Sequence, residues 1–209
     1  MIDLYTWTTP NGRKVSILLE ELGLEYNVHA VDISAGEQMK PDFLKISPNN
    51  KIPAIVDQET GVSLMESGAI LVYLAEKTGK FLPEDLDGRF RVMEWLMWQM
   101  GGFGPFLGQA HHFLQFNPGV APYAEKRYGD EAQRLYGVLN ERLAGRDFVA
   151  DTYSIADMAI WPWAARHAWQ RIDLADFPNV RAWYKRLLER EAVVRGYHIP
   201  KNMGEIPQP

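Results

Sequence analysis

A chain of 209 residues is long enough for one large domain or two small ones, on a prior of roughly 100–200 residues per domain. Hydrophobic residues at 46% and charged residues at 23% fit a globular chain able to bury a sizeable core. With 22 basic against 27 acidic residues, a net charge of −5 and no cysteine, the composition argues against nucleic acid or an anionic membrane as partner and excludes disulfides and thiolate metal sites.

Met1–Thr6 reads as a short strand, and Met1-Ile2-Asp3-Leu4 has neither the basic nor the apolar region of a signal peptide. A cytoplasmic protein is the expectation. Val15, Leu18, Leu19 and Leu22 then recur on one helical face, and Gly23 is placed to stop that helix. Tyr26, Val28 and Ala30 alternate with polar residues as in a half-buried strand, and Pro41–Ile46 reads as a helical turn. Ala54–Val56 and Val62–Met65 read as two strands joined by Glu59-Thr60-Gly61, followed by a helix through Ile70, Leu71 and Leu74 that ends at Gly79. The order β-α-β, connection, β-β-α matches a thioredoxin-like domain, with parallel strands from the first half and a hairpin from the second.

From Gly88 the strand patterns stop, and Val92–Met100, Pro122–Leu143, Ser154–Gln170 and Pro178–Glu191 all read as helices. The longest apolar stretch, near Ile155–Ala165, contains Asp157 and Pro162 and is shorter than the ~20 residues of a membrane span. Ser154-Ile155-Ala156-Asp157 has the form of a structural capping box, and Pro162 is expected to kink its helix. The switch in pattern predicts an α/β domain over 1–81 and an all-α domain over 88–209, with the boundary near Phe81–Asp87.

Three segments bear on chemistry. Asn50-Lys51-Ile52-Pro53-Ala54 places a proline at the start of a strand, where it has no ladder bond to donate. A cis form would turn the Ile52 N–H and C=O outward to accept an extended peptide; an ordinary trans bond is the other reading. Glu66 and Ser67 stand at a helix N-terminus, suited to a ligand's ammonium and carboxylate, or acting as a plain cap. Lys51 is a candidate for a second carboxylate, or a solvated lysine. Thr8-Thr9-Pro10-Asn11-Gly12 opens the first helix, where Thr9 and Asn11 are candidate donors to a thiolate. A free thiol has a pKa of ~8.5, which a helix N-terminus lowers; the alternative is a common Thr or Asn cap with Pro in the first turn.

Together Thr9-x-Asn11-Gly12, Asn50-Lys51-Ile52-Pro53-Ala54 and Glu66-Ser67-Gly68-Ala69-Ile70 resemble the glutathione transferase superfamily over nearly the whole chain. Ser47-Pro48-Asn49-Asn50-Lys51-Ile52-Pro53 and Gly108-Gln109-Ala110-His111-His112-Phe113 further resemble its bacterial Nu-class. That resemblance implies the glutathione transferase fold, a homodimer, and glutathione-dependent disulfide reduction at a site holding two glutathiones or one glutathione disulfide. It implies that Glu66 and Ser67 bind the γ-glutamyl end and that Ile52, before a cis Pro53, pairs with the cysteinyl backbone. Lys51 and Gln38 would hold the glycyl carboxylate, Thr9 and Asn11 would flank the sulfur, and Arg127 would reach the second glutathione. Other classes place a tyrosine, serine or cysteine beside the sulfur. Here cysteine is absent and Tyr5 falls inside a strand, as a core or interface residue, so Thr9 and Asn11 are preferred.

His111 and His112 are adjacent, and helical neighbours ~100° apart do not share one metal, so no metal site is expected. One of them, with Gln109 and Phe113, is a candidate for the acceptor pocket, and a packed histidine beside a surface one is the alternative. Trp95, Trp98, Trp161, Trp163 and Trp183 read mostly as core, with some of Trp7, Phe103 and Phe106 facing the acceptor. The expected function is a disulfide-bond reductase with glutathione as co-substrate, acting on a small disulfide, without nucleic acid or membrane. The alternatives are a transferase that conjugates electrophiles or reduces hydroperoxides, and a non-catalytic assembly or regulatory module.

Overall fold

A computed structural model describes residues 1–209. In chain order it contains β1 (Ile2–Thr6), α1 (Pro10–Leu22), β2 (Tyr26–Ala30), α2 (Pro41–Ile46), β3 (Ala54–Asp57), β4 (Ser63–Met65), α3 (Ser67–Thr78), α4 (Leu86–Trp98), α5 (Gly104–Ala110), α6 (Pro122–Arg142), α7 (Ile155–Ala164), α8 (Pro178–Leu188) and α9 (Glu191–Tyr197). The first compact unit comprises Met1–Leu82 and Glu189–Ile206; the second comprises Pro83–Leu188 and Pro207–Pro209.

The first unit is built on a four-stranded sheet of order β2-β1-β3-β4, with β1 parallel to β2 and antiparallel to β3, and β3 antiparallel to β4. Alternation along the strands gives the sheet two faces. Tyr5 and Ala54 share one face with Val31 and Ile52, and Phe43 and Ile46 of α2 cover it. Ile2, Leu4 and Ile55 on the other face are buried, and α3 packs on β3 and on α1.

Helix α9 packs along α1 in this same unit, whereas the sequence pattern alone places every residue after 88 in the helical part. A close backbone approach accounts for the difference: a Cβ on Gly196 would lie 2.6 Å from Ile17 Cα. The approach also lets the Ser16 hydroxyl donate to the Gly196 carbonyl at 2.7 Å. Only glycine admits such contact, and no hydrophobic period announces it.

The second unit is helical. Helix α4 starts earlier than its apolar pattern, because Asp85 caps it by accepting from the Gly88 N–H at 2.8 Å. It continues through wide π turns at Gln99–Phe103 and His111–Phe116, on either side of α5. The expected helix Ser154–Gln170 is shorter: α7 ends at Ala164, past Pro162, and His167–Gln170 forms a separate 3₁₀ turn. Trp161 and Trp183 are fully buried and Trp163 nearly so, while Trp95 and Trp98 are half-buried. Phe103 is fully buried, so it lines this core and not an acceptor site. The C-terminal tail lies against the surface, where the Tyr184 hydroxyl donates to the Pro207 carbonyl at 2.7 Å.

Candidate active site

The sheet register gathers the three candidate segments. Tyr5 pairs with Ala54, and Ala54 pairs with Met65. The residues after Tyr5, before Ala54 and after Met65 therefore leave the sheet at one end, which places Thr6–Asn11, Lys51–Pro53 and Glu66–Ser67 along a common edge.

At the first segment Thr9 has extended backbone and its Oγ1 accepts from the Gly12 N–H at 3.2 Å, so it is the N-cap of α1. An accepting hydroxyl keeps its own proton to donate. Asn11 is half-buried in the first turn behind Pro10. A Cβ at Gly12 would collide with the Thr6 hydroxyl and the Trp7 carbonyl; glycine at this position lets the chain fold back tightly from β1 into α1.

At the second segment the Ile52-Pro53 bond is cis. Ile52 is buried with Val31, Phe43 and Ala54, yet neither its backbone N–H nor its C=O is hydrogen-bonded within the protein. Buried backbone groups are nearly always paired, so this unpaired segment is suited to an incoming peptide. Lys51 is exposed, and its carbonyl is held by the Ser47 hydroxyl at 2.8 Å. Gln38 lies half-buried in the 3₁₀ turn Glu37–Met39, with its Oε1 unpartnered.

At the third segment Glu66 takes the N-cap position of α3 with φ 71°, ψ 110°, and no side chain caps the helix. A non-glycine residue held in that region costs about 1–3 kcal/mol. An ordinary cap does not account for it. Ser67, only 4% exposed, accepts from Lys14 Nζ at 3.4 Å. Burial pushes the Lys14 ammonium down to about 7, against the attraction of Glu66. The arrangement presents a helix dipole, an exposed carboxylate and a hydroxyl backed by a cation, which is suited to a ligand bearing both a carboxylate and an ammonium.

In the second unit, Arg127 lines a groove of about 520 Å³ with Phe106, Tyr123, Lys126 and Arg134. Lys126 is paired with Asp130 at 2.6 Å and Arg134 with Glu131 at 2.7 Å, while Arg127 makes no ion pair.

Residues 1–76 match the family model for the glutathione S-transferase N-terminal domain, and residues 105–191 match that for the C-terminal domain. A relative from Escherichia coli, the disulfide-bond oxidoreductase YfcG, is 52% identical over 198 residues, covering 92% of each chain. The chain belongs to the glutathione S-transferase family. A solved glutathione transferase from Burkholderia graminis, with two glutathione molecules bound per subunit, is 44% identical with a TM-score of 0.91, covering 97% of this chain and 89% of that one. Another from Pseudomonas putida, with one glutathione disulfide per subunit, is 45% identical with a TM-score of 0.89, covering 95% and 91%. The thioredoxin-like α/β domain followed by helices is thus a glutathione S-transferase fold.

Elsewhere in this glutathione S-transferase, Tyr5 is half-buried and stacks on His29 with ring centroids 4.5 Å apart. His111 is a packed residue: its ring stacks on Trp163, and its Nε2 lies 3.0 Å from Gln170 Nε2. An amide nitrogen only donates, so His111 Nε2 accepts. The same amide donates to the Trp163 carbonyl, and its oxygen accepts from Tyr136. Burial pushes His111 down to about 4, helped by Arg166. His112 is exposed. No group of three or more His, Asp or Glu side chains is placed to hold a metal ion, and no helix is long and apolar enough to cross a membrane. Sequence reasoning missed Lys14. Its signal was its place one turn before Leu18, on the buried side of α1.

Proposed function

We propose that this glutathione S-transferase reduces disulfides with glutathione, using a thiolate held at the mouth of α1. What carries the reading is the unpaired backbone edge of Ile52, a place for a peptide, in a chain that has no sulfhydryl of its own. The names of its relatives support it: one is a disulfide-bond oxidoreductase, and solved neighbours hold two glutathiones or one glutathione disulfide.

Ile52 pairs with the cysteinyl backbone ahead of Pro53. Ser67 takes the γ-glutamyl carboxylate and Glu66 its ammonium. Lys51 and Gln38 take the glycyl carboxylate. Thr9 and Asn11 donate to the sulfur, lowering its pKa together with the helix dipole. The bound thiolate attacks one sulfur of the substrate disulfide. A mixed disulfide forms, and the other half departs as a thiolate that takes a proton from water. A second glutathione thiolate then attacks the mixed disulfide, giving glutathione disulfide and the second substrate thiol. Arg127 serves the second glutathione. We place the reaction in the cytoplasm, where the glutathione pool is reducing. Leu86, Phe90 and Met97 form an exposed apolar stripe on α4, which we assign to the interface of a homodimer; sedimentation at micromolar concentration tests that assignment.

The deciding assay offers glutathione with a small disulfide, a chlorinated aromatic or an organic hydroperoxide. Turnover of the disulfide well above the other two is expected. Turnover of the aromatic or the hydroperoxide alone overturns the reaction assigned, and a protein that binds no glutathione is a scaffold.

A further inference from the structure

Two cations are buried side by side in α1, and they are used differently. Arg13 donates from Nε to the Tyr197 carbonyl at 3.0 Å, and its guanidinium lies 3.5 Å from the Tyr197 ring centroid. Its charge therefore serves the packing of α9 on α1. Lys14 is 1% exposed and reaches Ser67, the first residue of α3. Buried lysines are uncommon because the charged form is costly to desolvate. A purely structural tie between α1 and α3 needs no ammonium, since a neutral side chain of the same length would fill the space.

A hydroxyl that accepts from a cation becomes a stronger donor through its own proton, because linked hydrogen bonds polarise one another. Ser67 is thus prepared to donate toward an anion at the uncapped start of α3, with a positive charge behind it. Glu66 beside it has the opposite sign and suits the ammonium of the same ligand group.

We propose that Lys14 is a positioning residue for the γ-glutamyl carboxylate of glutathione, acting through the Ser67 hydroxyl. The inference rests on the glutathione reading of this site and adds to it a buried counter-charge for one end of the peptide. Lys14 does not touch the reacting sulfur, so it acts on binding and not on the thiolate.

The test compares glutathione with 4-aminobutyryl-cysteinyl-glycine, which lacks only that carboxylate, against the wild-type chain and Lys14→Met. The expected result is a Kd for glutathione raised about tenfold by Lys14→Met, the size of a lost charge-assisted hydrogen bond. Affinity for the shortened peptide should be unchanged, the KM for glutathione raised and kcat preserved. Equal loss for both peptides, or none for either, overturns the role of Lys14. Wild-type protein that binds neither peptide fails the glutathione reading itself, and with it this one. A measurement without mutation guards against a misfolded variant. In wild-type protein labelled with ¹⁵N-lysine, the Lys14 side-chain resonance should shift on adding glutathione and stay in place with the shortened peptide. The same response to both overturns the proposal.

Discussion

Two helices in this molecule start on a serine next to or near an acid, and they are finished in opposite ways. At α7 the start is closed. Ser154 Oγ accepts from the Ala156 N–H, and the Asp157 carboxylate accepts from the Ser154 N–H and hydroxyl, the Val149 N–H and the Trp183 indole. At α3 the start is open: Glu66 has a left-handed backbone, no side chain caps the helix, and the serine hydroxyl leans on a buried lysine. A satisfied helix start holds a fold together, and an unsatisfied one is kept for something else. The two sites bury opposite charges, and breaking each should have opposite consequences.

The largest effect is expected at the closed start. Asp157→Ala leaves four donors facing no acceptor, and removing one partner of a buried charged network typically costs about 3–5 kcal/mol. Urea unfolding should show that loss, with glutathione affinity of the folded fraction unchanged. The ionisation of the two buried groups sharpens the contrast. Burial pushes the Asp157 carboxyl from 3.8 up to about 6, although its hydrogen bonds pull the other way. The native state then holds a proton that the unfolded chain has released. Stability relative to Asp157→Asn should fall as pH rises from 3.8 to about 6 and level off above. Lys14 reverses the sign. Its native value of about 7 lies below the ordinary 10.5, so the unfolded chain binds the extra proton. Stability relative to Lys14→Met should rise between those values, by at most about 1.4 kcal/mol per pH unit, and stay flat below pH 7. Unfolding midpoints at half-unit steps check both slopes.

At the open start the effect moves from stability to binding. Ser67→Ala should raise the glutathione Kd by roughly ten- to a hundredfold, as for a hydrogen bond to a charged group. Thermal stability should fall only by what Lys14 loses with its buried acceptor, about 1–3 kcal/mol, since no cap is lost. A large stability loss with unaltered affinity would make α3 a structural start like α7 and dissolve the comparison.

The contrast was only half legible in the sequence. The capping box could be read from Ser154 and Asp157 because its partners lie within one turn. The order of elements along the chain, the hairpin and the main helices followed from periodicity and from Gly23, Gly79 and Pro178, whereas the spatial strand order did not. The candidate site's segments were visible as motifs, but a glutamate gives no signal of a left-handed backbone, and the bond from Lys14 to Ser67 joins residues far apart in the chain. The return of α9 onto α1 was hidden for the same reason, because it turns on the space above a single glycine. The π turns flanking α5 fall where Gly101 and Gly102 and then His111 and His112 interrupt the apolar period.

The smallest expected effect tests whether the mouth of α1 belongs with the open start. Thr9 and Asn11 sit at the same helix end but carry different loads. Thr9 caps α1, so Thr9→Ala should cost about 1 kcal/mol of stability and mix folding with chemistry. Asn11 is not the cap, which makes Asn11→Ala the cleaner probe. If its amide donates to the bound sulfur, the substitution should lower disulfide turnover about fivefold to tenfold, within the span of one hydrogen bond. It should leave the glutathione Kd within about twofold, because the proposed binding mode holds the peptide mainly at Ile52 and Ser67. The pKa of the bound thiol, followed by thiolate absorbance, should rise in step with the lost rate. Lost turnover without a change in thiol pKa would assign Asn11 to the incoming disulfide, and an unaffected rate would return the mouth of α1 to ordinary helix capping.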